Sequence, residues 1–160
     1  MNGYLVLILA AFDLWIWRIS MLRGWFVKRP CIHGTWKASL QSQWTDPETG
    51  TAPPAIAAYI AIRQTYSMLS MRLMTEESTS EILGAEMVRA PDDTYRVAGV
   101  YRNEPRLSVR ERSPIHYGAV LLQVEGEPAS RLTGHYWTDR SSRGEVLAGA
   151  IPSSRLSSAA

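Results

Sequence analysis

From Gly34 onward, apolar and polar residues alternate in short runs, each closed by a cluster of turn formers. A period of two is the signature of a half-buried strand, and it constrains this chain more than any other feature. In Gly34–Trp44 the residues Trp36, Ala38 and Leu40 share one face, and Thr35, Lys37, Ser39 and Gln41 share the other. Asp46–Gly50 with Pro53 and Pro54 reads as a loop. Residues 55–74 are continuously apolar and β-prone, with Tyr59, Ile60, Ile62, Tyr66 and Leu69 favouring strand. That run is too long for one ordinary strand, so a bulge or bend is expected near Thr65–Ser67; a helix over Ala55–Leu73 is the competing reading. Thr75–Ser80 is polar and marks a turn. Further strands are expected over Glu81–Arg89, Tyr95–Arg102, Ile115–Val124, Arg131–Arg140 and Glu145–Ala150. The turns between them carry Pro91-Asp-Asp93, Glu104-Pro105, Glu125-Gly-Glu-Pro128 and Ser141–Gly144. A set of seven or eight short strands must protect its edges, and closure does so completely. The expected fold is therefore all-β: a small closed antiparallel barrel of about eight strands, with an interior fit for side chains or one small ligand.

The N-terminus has a different character. Tyr4–Phe12 is unbroken apolar sequence, Asp13 interrupts it, Leu14–Trp17 resumes it and Arg18 interrupts it again. A transmembrane helix over residues 4–22 is expected, with about 20 mostly apolar residues sufficing to span. Arg18 can snorkel, whereas Asp13 is costly within a bilayer. Trp15, Trp17 and Trp25 suit an interfacial belt. Arg18, Arg23, Lys28 and Arg29 follow the apolar run, which places that side in the cytoplasm. The expected organisation is a membrane helix with its juxtamembrane segment (residues 1–29), a cytosolic ligand-sensing barrel (30–151) and a flexible Ser/Ala-rich tail (152–160). The single cysteine, Cys31, rules out an intrachain disulfide and fits a reducing compartment.

No nucleotide-loop, zinc-protease or serine-hydrolase motif is present, and His33, His116 and His135 have no carboxylate at a motif spacing. Cys31 and His33 lack the second pair of ligands that a metal site needs. No catalytic residue, metal or cofactor is therefore expected. The net charge of +2, from 17 basic and 15 acidic residues, is too even for binding DNA or RNA in bulk. The chemistry lies instead on the inner faces. Period two puts Leu132, Gly134, Tyr136, Thr138 and Arg140 together, and likewise Val97, Gly99, Tyr101 and Asn103. The strand through Ile62 adds Gln64 and, if no bulge intervenes, Tyr66. Gln64, Tyr66, Tyr101, Asn103, Tyr136, Thr138 and Arg140 are thus the candidate ligand-binding residues. Such an interior suits a polar ligand: tyrosine stacks on bases, and arginine grips phosphate through two bonds. A membrane-tethered, lipocalin-like carrier of an apolar ligand is the alternative. On the bland reading, Tyr136 is a core aromatic and Arg140 pairs with Asp139 or Glu145 at the surface.

A series of short motifs occurs in order: Gly34-Thr-Trp36, Ile62-Arg-Gln64, Thr75-x-x-Ser78-x-Ser80, Tyr101-x-Asn103-x-Pro105, His116-x-Gly118 and Leu132-x-Gly134-x-Tyr136-Trp-Thr-Asp-Arg140. Together they resemble the SMODS-associated two-transmembrane β-barrel effectors (CD-NTase-associated protein 15) of bacterial cyclic-oligonucleotide antiphage signalling, over residues from about 12 to about 150. The resemblance implies a cytosolic barrel that senses a cyclic dinucleotide made by a cognate CD-NTase during phage infection. It also implies ligand-driven homo-oligomerisation in the bacterial inner membrane, disruption of its lipids and death of the infected cell. That family carries two N-terminal membrane helices, and this chain has room for one.

Overall fold

The computed structural model describes residues 2–151. A helix, α1 (Asn2–Leu14), and two short 3-10 turns precede eight strands. These are β1 (Gly34–Ser42), β2 (Ile56–Gln64), β3 (Leu69–Thr75), β4 (Ser78–Arg89), β5 (Tyr95–Pro105), β6 (His116–Glu125), β7 (Arg131–Thr138) and β8 (Arg143–Ala150). Each strand pairs with the next, and β8 returns to β1, so the sheet closes into a barrel. All pairings are antiparallel, and the expected all-β barrel is the observed fold.

Alternation sorts the side chains as the sequence implies. Trp36 and Ala38 of β1, Ile60 and Ile62 of β2, Val97 of β5, Leu122 of β6, Leu132 of β7 and Val146 and Ala148 of β8 fill the interior. Each large aliphatic residue so buried contributes about 1.5–3 kcal/mol. In β4 the register slips between Ile82 and Gly84, which changes the inward phase from Ser80 and Ile82 to Ala85 and Met87. At Gly134 a side chain is not possible, because a Cβ would lie 1.9 Å from the Leu121 carbonyl oxygen.

Two expectations are corrected. The run 55–74 is neither one bent strand nor a helix: β2 and β3 form a hairpin, and residues 65–68 are its turn. The Thr65 N–H donates to the Met68 carbonyl (2.9 Å), and the Met68 N–H to Thr65 Oγ1 (3.0 Å). The N-terminal segment brings the rest. Tyr66 N–H donates to the Asp13 carbonyl (2.9 Å) and Ser67 N–H to Asp13 Oδ1 (2.8 Å). Asp13 thus serves as a turn cap, and the carboxylate that looked costly has a partner.

The second correction concerns the expected membrane helix over 4–22. Helix α1 has 13 residues and stops at Leu14, about 20 Å of rise against the roughly 30 Å of a bilayer core. Among the described residues, no helix is long and apolar enough to cross a membrane. Beyond Leu14 the chain folds across one end of the barrel and shuts it. Trp17, Val27 and Ile32 are buried there, and the Trp36 indole N–H donates to the Ile32 carbonyl (2.9 Å). The opposite end, formed by residues 43–55, 76–77, 106–115 and 139–142, is open.

Candidate functional site

The open end leads into a cavity of about 870 Å³. Its floor is apolar, made by Ile60, Met71, Leu73, Val120, Leu122 and Val146. Its walls and mouth are polar and aromatic. Here the inner faces of β4 to β7 run out of aliphatic residues and continue as Ser80, Asn103, His116 and Thr138.

Two tyrosines shape the wall, and each is seated on a glycine across the ladder. Tyr101 pairs with Gly118, where an added Cβ would come within 2.5 Å of the phenol. Tyr136 pairs with Gly144, where a Cβ would lie 2.6 Å from its ring. The missing side chains create the slots in which the rings lie. Burial, reinforced by Tyr136 and Asp139, pushes the Tyr101 phenol up to about 12. Burial also raises Tyr136, opposed by the nearby Ser42 hydroxyl. Both remain neutral near pH 7, able to donate and accept one hydrogen bond each.

Asn103 is 7% exposed, and its Oδ1 accepts from Ser80 Oγ at 2.8 Å. It makes no other side-chain hydrogen bond among the described residues, so its amide donors are left for a ligand. Thr138 and Ser142 hydroxyls meet at 2.7 Å on the rim. Arg140 lies just beyond β7, in the turn, with Nη1 near Ser113 Oγ (3.3 Å) and the Pro114 carbonyl (3.5 Å). Among the described residues no carboxylate pairs with Arg140, in contrast to Arg112, which bonds Glu77 across the mouth. A cation held at a cavity mouth by neutral oxygens alone is available to an anion.

The structure therefore brings five of the seven candidate residues to one cavity: Tyr101, Asn103, Tyr136, Thr138 and Arg140. The other two sit elsewhere. Gln64 is 1% exposed at the closed end, where Oε1 accepts from the Ile32 N–H (2.7 Å) and Nε2 donates to the Pro30 carbonyl (3.0 Å). Tyr66 is in the hairpin turn, outside the barrel, edge-on to Phe12 (5.1 Å between centroids) and Trp17 (6.1 Å). Sequence reading missed Ser80, His116 and Arg112 as cavity residues. The signal for the first two was available, since period two carried back from Ile82 and Val120 reaches them.

No curated protein matches the chain. A family model described as "Cap15, cyclic dinucleotide receptor domain" matches residues 27–148, which include all eight strands but for the last residues of β8. On that match the chain belongs to the Cap15 cyclic dinucleotide receptor domain family.

Proposed function

We propose that the barrel binds a cyclic dinucleotide in the cavity at its open end. The observation that carries this reading is Arg140, a guanidinium without a carboxylate partner among the described residues, at the mouth of a cavity walled by two tyrosines. Arg140 contacts a phosphate. Tyr101 and Tyr136 stack on bases or offer their hydroxyls, and Asn103 and Thr138 bond base or ribose. Gln64 and Tyr66 have no part in this site.

In the wider reading, the protein is a membrane-anchored antiphage effector at the bacterial inner membrane, with its barrel in the cytoplasm. Residues 1–29 anchor it and residues 30–151 sense the messenger of a cognate CD-NTase; the tail expected over residues 152–160 lies outside the described residues. The exposed apolar side chains of Leu5, Leu7, Ile8 and Leu9 support an anchoring role for α1. The ligand promotes homo-oligomerisation to the extent that it binds the assembled state more tightly, and assembly disrupts the membrane. The cavity offers hydrogen-bonding and aromatic groups suited to holding a ligand, and the family match is to a receptor domain; both support a role in recognition.

The apolar floor favours a second reading, a carrier of an apolar ligand. A thermal-shift screen of the full chain in mild detergent separates the two. At a hundredfold excess over Kd, a ligand bound only by the folded state adds about 2.7 kcal/mol. A 3′,3′ or 2′,3′ cyclic dinucleotide is expected to raise Tm. A response to fatty acids alone would favour the carrier.

A further inference from the structure

At the opposite, closed end of the barrel lies a second pocket, of about 370 Å³. Arg23, Lys28, Arg29 and Arg89 line it, facing Asp93 and Glu127. Arg89 is committed to Asp93 at 2.6 Å. Among the described residues, Arg23, Lys28 and Arg29 have no carboxylate within ion-pairing distance. The Nε atoms of Arg23 and Arg29 are buried with no hydrogen-bond acceptor. Arg23 makes no side-chain hydrogen bond at all among the described residues, and Arg29 reaches only the Tyr66 carbonyl (2.5 Å). Guanidinium nitrogens withdrawn from water without acceptors are costly, and an anion would offset that cost.

The same loop also exposes apolar side chains. Gly24, at φ +91°, allows the chain to double back, its N–H donating to the Val27 carbonyl (3.1 Å). Val27 is thereby buried, whereas Met21 (78% exposed), Trp25 (74%) and Phe26 (61%) project outward. An anion pocket on a loop that also exposes aromatic and aliphatic side chains matches a molecule in which a phosphate adjoins acyl chains.

We propose that this pocket is a phosphate site, distinct from the cavity at the open end, and that it takes the headgroup phosphate of an anionic phospholipid through Arg23, Lys28 and Arg29. The lipid source rests on the membrane-anchored reading above; the phosphate site itself does not. Lipid held there would fix the closed end toward the bilayer and leave the open cavity facing away from it.

The test uses the full chain and R23Q/K28Q, two positions whose side chains make no hydrogen bond among the described residues, with Tm as the check that both proteins are folded. Binding is measured to vesicles of phosphatidylcholine and to the same vesicles doped with phosphatidylglycerol. Inorganic phosphate is titrated separately in mild detergent, with thermal shift as the readout. The expected result is a preference for the doped vesicles that falls about thirtyfold in R23Q/K28Q, about fivefold per charge. A phosphate-dependent Tm rise lost in the variant, with no preference for doped vesicles, supports the pocket and assigns it to free phosphate. Equal binding of the wild type to both vesicle types, with no phosphate response, overturns the site while leaving the membrane reading intact. Failure to bind either vesicle sinks the membrane reading, and the phosphate arm alone then decides the pocket. A folded variant that matches the wild type in both arms overturns the proposal.

Discussion

Arg140 has the clearest separation of binding from folding. Its side chain is exposed and, among the described residues, hydrogen-bonds only Ser113 and the Pro114 carbonyl. Arg140→Ala is therefore expected to leave Tm within a degree or two, whereas losing a charge-assisted bond to phosphate, worth about 1.5–3 kcal/mol, weakens a cyclic dinucleotide about 10- to 150-fold. Calorimetric titration beside a melting curve checks both halves. Gly118 makes the converse prediction. A methyl group 2.5 Å from the Tyr101 phenol and equally close to the Trp137 carbonyl must move one of them. Gly118→Ala should cost about 1–3 kcal/mol of stability and weaken ligand binding, read by urea denaturation and titration. Tyr101 also predicts an alkaline response. Its folded pKa lies above the unfolded value, so the contribution of its burial is complete below about pH 10 and is lost as pH rises towards about 12. Tyr101→Phe should flatten stability against pH in that window. At this scale the inner faces were legible, because alternation assigns every residue of a regular strand to one side. Tyr66 was not, because it left the strand.

The elements show why. Alternation located most of the strands to within a few residues, yet the β2–β3 turn carries no glycine, proline or asparagine to announce it. Besides the local Thr65–Met68 bonds it is held by Asp13, more than 50 positions away, and a contact so distant has no local signature. The N-terminal segment was misread for a related reason. Its hydrophobicity suggests one continuous helix, but Trp17, Val27 and Ile32 are spent on sealing the barrel, which requires the chain to turn. Gln64 ties that seal to β2. Gln64→Leu would strand the Ile32 N–H and the Pro30 carbonyl, and is expected to destabilise the barrel by about 1–3 kcal/mol per group left unpaired. Urea denaturation should show that loss while cyclic dinucleotide affinity stays unchanged, since Gln64 is remote from the cavity.

For the molecule as a whole, closure assigns different work to the two ends. One end is sealed by the N-terminal segment and surrounded by basic and exposed aromatic side chains. The other opens on a cavity whose mouth holds an arginine without a carboxylate partner among the described residues. This polarity was only half legible: charge and hydropathy identified the N-terminal segment, but that it stoppers one end of the barrel follows from packing alone. The most direct test of the central claim is calorimetric titration of the full chain, in mild detergent, with a panel of 3′,3′ and 2′,3′ cyclic dinucleotides. The account predicts saturable binding of at least one member at one site per barrel. A folded barrel that binds none of them would contradict it.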